Sequence, residues 1–245
     1  MLIETTYFYS PPDSFSKGKV FLAEDEAHHL VDVIRARDGD EFFLTNGIGD
    51  LFRCRLIKKH RKGALAEIVE IMEPMQKPSV KICLGMSIIK PKLMELALDW
   101  SVQIGIDEFA PLITKYSQSE FYRNDNNFTR LEKIAVRAMK QSKRTWIPTI
   151  YPPMRLEKFL QQYGQNFDGI IYADYDGVPS PPKRMTQDDS NILALVGCEG
   201  GFSTAEKSEL AEYDAVPVAL GPARLRAETA AVIFTAKILV WTGNI

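Results

Sequence analysis

The chain has few of the residues that mark metal-binding and disulfide-bonded proteins. Its 245 residues include only 3 cysteines and 3 histidines. Cys54, Cys83 and Cys198 are widely spaced and form no CxxC motif, which predicts free thiols in a reducing cytosol. The histidines have no HExxH spacing, so we predict no metal site and no metal cofactor.

Long apolar runs are also missing. No segment reaches the roughly 18 consecutive apolar residues that a membrane-spanning helix needs. The first residues carry Glu4 and lead into Pro11 and Pro12, without the basic and apolar stretches of a secretory leader. We therefore expect a cytoplasmic protein with no membrane partner. A hydrophobic fraction of 45% and a charged fraction of 25% are typical of a globular chain and exclude a disordered or collagen-like one.

The sequence lacks an excess of charge of either sign. It has 30 Lys and Arg against 32 Asp and Glu, for a formal net charge of −2. This balance excludes a protein that coats nucleic acid through bulk positive charge. The basic residues that are present are grouped, so we expect any polyanion to bind at local patches.

Two basic clusters stand out. In the first, five cations recur at intervals of three and four residues along a predicted helix, which places them on one face: Arg130, Lys133, Arg137, Lys140 and Arg144. The second follows a predicted strand into a hairpin turn and contains no acidic residue: Arg53, Arg55, Lys58, Lys59, Arg61 and Lys62. A solvated helix face and a solvated β-turn are the alternatives to anion contact.

The pattern of elements changes along the chain. Residues 1–73 predict a small barrel-like β module with one short helix at Glu26–Arg35, and residues 73–78 predict a linker. After the linker, strands alternate with helices, which indicates βα units and a parallel sheet. The predicted strands are Val20–Leu22, Glu41–Thr45, Leu51–Ile57, Ala64–Ile71, Val80–Ser87, Glu108–Ile113, Gly169–Ala173, Ile192–Gly197 and Val216–Leu220. The predicted helices of the second part are Pro91–Ile104, Phe128–Lys143, Leu156–Tyr163, Thr204–Tyr213 and Ala227–Trp241.

Two glycine-containing turns near the C-terminus predict a ligand site. The turn at residues 197–202 follows a buried strand and leads into a helix that begins with a Ser203–Glu206 capping box. A strand, a glycine turn and a helix N-terminus together are typical of ligand sites in open α/β sheets. The spacing is neither GxGxxG nor GxxxxGK[ST], so neither a dinucleotide nor a Walker site is predicted. Glu199 argues against phosphate and for a ligand with positive or hydrogen-donating groups.

The next βα unit repeats this arrangement with a turn at residues 221–226. Two successive turns of this kind would line one crevice at the carboxyl ends of the strands. A tight connection without a ligand is the alternative for either turn alone.

These turns carry a resemblance to a known family. Leu195–Ser203 and Leu220–Ala230 resemble the RsmE-type ribosomal RNA methyltransferases of the SPOUT superfamily, and the resemblance extends over essentially the whole chain. It implies a trefoil-knotted parallel α/β sheet flanked by helices at residues 74–245, after a PUA-like β-barrel RNA-binding domain at residues 1–73. It also implies a homodimer that uses S-adenosylmethionine to methylate N3 of a uridine in small-subunit (16S) ribosomal RNA. The naked RNA and the assembled small subunit are both open as partners.

The resemblance also implies roles for individual residues. The cofactor would lie on Ala173, Val196, Gly197, Glu199, Gly200, Gly201, Leu220, Gly221, Leu225 and Arg226. The two basic clusters, and not the resemblance, predict RNA contacts at Arg53, Arg55, Lys58, Arg137, Lys140 and Arg144. We expect no fixed cations near the positively charged sulfonium. The catalytic pair would be Arg226, which stabilises the developing uridine anion, and Glu228. Glu199 is the alternative proton acceptor, and a structural Arg226–Glu228 ion pair is the alternative to catalysis.

Several positions depart from the family pattern: Asp99, Trp100, Gln103, Tyr116 and Cys198. Cys198 is not expected to act as a nucleophile, because methylation of a ring nitrogen needs none. The departures leave a different RNA target open, as well as a non-catalytic RNA-binding or assembly protein on the same fold. The intact glycine turns favour the enzyme. An unrelated nucleotide-dependent enzyme would need a phosphate loop, which is absent.

Overall fold

The computed structural model describes residues 1–118, 125–179 and 191–244. Contacts within the chain define two compact units. The first contains residues 1–76 together with residues 136–147, and the second contains residues 77–135 and 148–245. The first unit therefore includes a segment that lies far along the sequence, inside the range predicted for the second domain.

The first unit contains one mixed six-stranded sheet. Its strands are β1 (Leu2–Tyr9), β2 (Phe15–Ser16), β3 (Lys19–Ala23), β4 (Glu41–Thr45), β5 (Leu51–His60) and β6 (Gly63–Met72). Their order in the sheet is β1-β4-β5-β6-β3-β2. Strand β1 runs parallel to β4, and all other neighbours in this sheet are antiparallel.

Alternation along these strands separates a core face from a polar face. Phe42 on β4 pairs with Cys54 on β5, and both side chains are buried in the core. Arg53 and Arg55 alternate with Cys54 and lie on the other face. Between β3 and β4 the chain forms the helix α1 (Glu24–His28), which continues as a π-helical turn to Val33 and buries Leu30.

The second unit contains a sheet in which every pair of neighbouring strands is parallel. Its strands are β7 (Lys81–Ser87), β8 (Glu108–Ile113), β9 (Thr149–Ile150), β10 (Met154–Arg155), β11 (Gly169–Val178), β12 (Asn191–Val196) and β13 (Val216–Val218). They are ordered β10-β8-β7-β12-β11-β13, with β9 also paired to β8. The predicted parallel α/β sheet is thus confirmed, whereas the knot stays a prediction.

Helices flank this sheet. They are α2 (Pro91–Ile104), α3 (Asp125–Gln141), α4 (Leu156–Tyr163), α5 (Thr204–Glu212) and α6 (Ala227–Trp241). Phe159 and Leu160 of α4 and Leu210 of α5 pack into one core cluster with Leu193 and Leu195 of β12. Helix α6 packs against α2, β7 and β12. Because helices cover the central strands of the sheet in this way, β12 is buried along almost its whole length, as in other parallel sheets.

Within the described ranges, no helix combines the length and the apolar character that crossing a membrane requires.

Candidate active site

The first glycine turn follows β12 and has a backbone shape that excludes side chains at two positions. The Gly201 N–H donates to the Cys198 carbonyl oxygen at 2.9 Å, and Gly201 has a φ of +67°. A Cβ atom on Gly197 would lie 2.8 Å from the Gly201 carbonyl carbon. The turn therefore closes on its own backbone, and only glycine fits at both ends.

The predicted capping box at the end of this turn is confirmed. The Ser203 N–H donates to Glu206 Oε2 at 2.8 Å, and the Glu206 N–H donates to Ser203 Oγ at 3.4 Å. These two bonds satisfy backbone donors that the first turn of a helix leaves unpaired. They also define where α5 begins relative to the glycine turn.

The second glycine turn lies beside the first. Arg224 reaches across and donates from its guanidinium to the Glu199 carbonyl oxygen at 3.3 Å. Lys237 Nζ on α6 donates to the carbonyl oxygens of Ala219 and Leu220, at 3.2 and 3.5 Å. These bonds hold the second turn at both ends. Gly221 is different from Gly197, because a Cβ atom there would have no heavy atom of the described residues within 4 Å.

The end of β11 supplies a third segment. Tyr175 donates from its hydroxyl to the Pro222 carbonyl oxygen at 3.4 Å, and Asp174 forms an ion pair with Lys207 of α5. A Cβ atom on Gly177 would lie 2.5 Å from the backbone nitrogen of Val218 on β13. The sequence prediction ended this strand at Ala173 and therefore missed these contacts.

The three segments enclose a cavity of about 600 Å³. Nine of the ten residues predicted to bind a cofactor line it: Ala173, Val196, Gly197, Glu199, Gly200, Gly201, Leu220, Gly221 and Leu225. The structure thus brings residues from three separate turns together at the carboxyl ends of adjacent strands. In other parallel α/β sheets, this edge is where ligands bind.

Arg226 is the exception among the predicted cofactor residues, since the cavity is lined by Leu225 and Ala227 but not by Arg226. Its backbone forms the N-cap of α6, and its side chain is exposed. Glu228, in the first turn of α6, is only 6% exposed and does not line the cavity either. Both residues lie in the described part of the chain, and no ion pair joins Arg226 to Glu228. The structural ion pair that was the alternative to a catalytic role is therefore not formed.

The cavity contains more charge than the sequence indicated. Asp174, Asp176 and Glu199 line it, together with Lys207 and Arg224. The cavity therefore contains fixed cations, whereas the absence of cations near the sulfonium stays a prediction. Asp174 raises the pKa of Lys207 above its ordinary value, so this lysine is charged at neutral pH and compensated by its partner.

Cys198 lines the same cavity without the properties of a nucleophile. Its side chain is almost completely buried, and burial raises the pKa of the thiol above its ordinary value. A reactive cysteine requires the thiolate, which burial disfavours.

The predicted basic stripe on α3 is not a single exposed face. The helix ends at Gln141, and Lys143 has a φ of +58°, so the chain changes direction before Arg144. Arg144 is only 3% exposed, with its guanidinium 4.7 Å from the centre of the Trp146 ring. The expectation that all five cations share one solvent face is therefore wrong.

Two other members of the stripe are paired. Lys140 forms an ion pair with Glu26 in the first unit, where both side chains are largely buried, at 15% and 13% exposed. Arg130 pairs with Glu95 of α2 at 2.6 Å. Arg137 is exposed. The RNA contacts assigned to Arg137, Lys140 and Arg144 stay predictions.

The cluster on β5 is also compensated, by glutamates from neighbouring strands. Arg53 pairs with Glu70 at 2.6 Å and with Glu41 at 2.9 Å, while Arg55 pairs with Glu41 at 2.8 Å and with Glu67 at 2.9 Å. Arg55 and then Arg53 hold the pKa of Glu41 below its ordinary value. This network was invisible in the sequence, because its acids lie on β4 and β6.

The hairpin end of the cluster differs from its strand end. Lys59 pairs with Asp32, whereas Lys58, Arg61 and Lys62 are exposed and form no ion pair with any residue in the described part of the chain.

Comparison with known protein families decides the class of this site. Residues 76–239 match the RNA methyltransferase domain, and residues 22–69 match the RNA methyltransferase PUA domain. The chain belongs to the RNA methyltransferase family. The resemblance identified from the two glycine turns is therefore confirmed, as is the PUA-like character of the first unit.

Individual relatives in the family cover nearly the whole chain. A ribosomal RNA small subunit methyltransferase E of Rickettsia conorii is 32% identical over 228 residues, which are 90% of this chain and 89% of that protein. A protein of the same name from Buchnera aphidicola is 28% identical over 91% of this chain and 88% of its own. The crystal structure of the corresponding protein from Neisseria gonorrhoeae, bound to S-adenosyl methionine, has the same fold. Its TM-score is 0.87 at 24% identity, over 97% of this chain and 98% of that chain.

Proposed function

We propose that this RNA methyltransferase transfers a methyl group from S-adenosylmethionine to N3 of a uridine in small-subunit ribosomal RNA. The observation that carries the proposal is the cavity of about 600 Å³ between the glycine turns and the end of β11. The names of the Rickettsia and Buchnera relatives support the substrate, and the ligand of the Neisseria protein supports the cofactor.

The residues of the cavity fit this cofactor. Gly197, Gly200, Gly201 and Gly221 line the cavity and have no side chain, so backbone forms part of the wall that a ligand meets. Val196, Leu220 and Leu225 supply apolar surface for a flat ring. Among the described residues that line the cavity, three carboxylates accompany two cations, which suits a ligand that carries positive charge. When bound, the cofactor supplies an electrophilic methyl group.

During methyl transfer, residues of the chain must accept a proton from the uridine and stabilise the negative charge that develops on it. N3 of uridine carries a proton that has to leave before the nitrogen can attack. Glu199 is the better-placed acceptor, since it lines the cavity while Glu228 does not. Arg226 lies between two lining residues and would stabilise the negative charge that develops on the uridine ring.

The test uses small ribosomal subunits that lack the modification, labelled S-adenosylmethionine and the full-length protein. We expect label at N3 of one uridine and micromolar binding of S-adenosylhomocysteine by calorimetry. Label on another base or another RNA would contradict the substrate. Cofactor binding without transfer to any RNA would favour a non-catalytic RNA-binding protein. Parallel reactions with naked RNA identify the form of the substrate.

Variants in the same assay assign the roles. We expect Arg226→Ala to lower kcat by about 100-fold, the usual effect of removing a group that stabilises transition-state charge. Glu199→Gln should lower kcat more than Glu228→Gln. Full transfer by Arg226→Ala at saturating cofactor would contradict its role.

We also propose that the protein is a homodimer in the cytoplasm. All three cysteines are free and buried, which suits a reducing compartment. The neighbouring helices α2 and α6 expose large apolar side chains: Leu96, Trp100, Ile233 and Val240, at 38–58%. A second copy of the chain would cover such surface. Light scattering on the same preparations should give twice the 27.7 kDa of one chain.

A further inference from the structure

A short turn after β8 presents an aromatic side chain next to the cavity. Within the turn, the Thr114 N–H donates to Ser117 Oγ at 3.1 Å, and the Ser117 N–H donates to the Thr114 carbonyl oxygen at 3.2 Å. Thr114 Oγ1 donates to Ser87 Oγ at the end of β7, at 3.0 Å. The turn is thus closed on itself and bonded to the centre of the sheet.

The same turn is bonded to the helix that follows the first glycine turn. The Lys115 N–H donates to Glu206 Oε1 at 2.7 Å, and Glu206 is the partner of the N-cap Ser203 in the capping box of α5. The Gln118 N–H donates to the Ile88 carbonyl oxygen at 2.8 Å. With both of its ends held, this turn is a rigid support for Tyr116.

Tyr116 lies against the glycine turn and is still accessible. A Cβ atom on Gly200 would be 2.9 Å from Cδ2 and 3.1 Å from Cγ of the tyrosine, so the ring contacts backbone that lines the cavity. Tyr116 is nevertheless 49% exposed. The Lys115 ammonium lies 5.3 Å from the centre of the same ring, and its side chain is exposed.

A single exposed aromatic residue needs no explanation by itself. Here the ring is anchored beside a cavity in which a base must meet a methyl donor. A base that is modified on its ring nitrogen has to leave its stack in the RNA, and proteins hold such bases on aromatic side chains. Lysines next to these platforms contact the backbone phosphates and fix the register of the strand.

We propose that Tyr116 is a substrate-positioning residue on which the target uridine stacks, and that Lys115 contacts the phosphate beside that nucleotide. The inference rests on the proposed function. It requires the ring of Tyr116 but not its hydroxyl, because a base stacks on the face of an aromatic ring.

The test compares Tyr116→Leu with Tyr116→Phe in the transfer reaction on unmodified small subunits. Loss of one base–aromatic stack typically weakens binding by about 10-fold or more, so the leucine variant should raise KM for RNA by that factor. The phenylalanine variant should stay within about twofold of the wild type. Lys115→Gln should raise KM less, and its effect should shrink as salt is added.

Cofactor affinity separates this role from support of the glycine turn. Calorimetry with S-adenosylhomocysteine should give the same Kd for the wild type and both tyrosine variants. The inference is overturned if Tyr116→Leu keeps the wild-type KM, if it weakens cofactor binding as much as RNA binding, or if Tyr116→Phe is equally impaired. Wild-type protein that transfers no methyl group contradicts the proposed function and the inference together. An active wild type with an unaffected leucine variant removes the inference alone.

Discussion

Gly197 directly follows β12, and Gly221 follows shortly after the end of β13. The surroundings of the two glycines nevertheless differ. The first turn folds back so closely that the Gly201 backbone occupies the space beside Gly197, while Gly221 faces open space. The need for glycine in a turn is therefore a property of the three-dimensional packing. A sequence pattern shows only that the backbone is free to adopt such a shape.

The close packing at Gly197 makes a matched pair of glycine substitutions informative. Gly197→Ala places a methyl group 2.8 Å from the Gly201 carbonyl carbon, so the turn must shift. We expect cofactor affinity to fall at least about 10-fold, which corresponds to roughly 1.4 kcal/mol. Gly169→Ala, at the start of β11, should bind S-adenosylhomocysteine like the wild type, because Gly169 does not line the cavity and no atom of the described residues lies within 4 Å of the added methyl group. Calorimetry on both variants measures the contrast. Equal affinities would contradict the role assigned to the closed turn.

For the individual residues of the site, the sequence predicted the course of the backbone better than the side chains that line the cavity. The order strand, glycine turn and capped helix was enough to locate the turn at residues 197–202. Asp174, Asp176 and Lys207 were not assigned to the cavity, because they lie outside the two predicted turns. Arg224 was not singled out, although it lies within the second turn. Pairings such as Asp174 with Lys207 depend on which strands are neighbours in the sheet. Local spacing carries no information about that.

Helix α3 shows how periodicity can mislead at the level of an element. The spacing of three and four residues correctly places Lys133, Arg137 and Lys140 on one helix. It does not show that the end of the helix belongs to the first unit, where Glu26 also accepts a hydrogen bond from the Tyr9 N–H at 3.2 Å. Lys140 therefore has a structural partner whatever its role toward RNA.

Two substitutions can separate the contribution of the Lys140–Glu26 ion pair to stability from the effect of removing a positive charge from the helix. Lys140→Met leaves the Glu26 carboxylate largely buried without its cation, so we expect the free energy of unfolding to fall by about 2–4 kcal/mol. Lys133→Met removes the same charge from an exposed position of the same helix and should change stability by less than about 0.5 kcal/mol. Urea unfolding followed by circular dichroism gives both values. Similar stabilities for the two variants would mean that the Lys140–Glu26 pair contributes little.

Element boundaries were predicted well where the pattern was local. The helices α2, α4 and α6 span the predicted residues, and α5 ends within one residue of its prediction. Strand β1 was missed although Leu2–Tyr9 is rich in β-forming residues. Its partner is β4, more than thirty residues away, with Leu2 opposite Glu41. The π-helical turn after α1 was also beyond prediction, because it has no distinctive sequence signal.

For the whole molecule, the near-neutral charge has a structural explanation. Several of the basic residues that looked clustered along the sequence are compensated in three dimensions: Arg53 and Arg55 by Glu41, Glu67 and Glu70 on the sheet, and Lys140 and Arg130 by Glu26 and Glu95 at α3. An enzyme that modifies one site gains from this arrangement, because weak general affinity for polyanions lets it leave the wrong RNA.

The uncompensated hairpin end of β5 should therefore carry most of the salt-dependent RNA contact in the first unit. Replacing Lys58, Arg61 and Lys62 with glutamine should reduce the slope of log K against log salt by about 2, because roughly 0.7–0.9 counterions are released per phosphate contact. The double variant Arg53→Gln/Glu70→Gln removes a cation together with its partner and should leave the slope unchanged. Filter binding of small-subunit RNA at several salt concentrations measures both slopes. The opposite result, a lower slope for the double variant and an unchanged slope for the triple variant, would contradict this prediction. The phosphate contacts would then lie on the face of the sheet, and Arg53 would have to leave its glutamate partners when RNA binds.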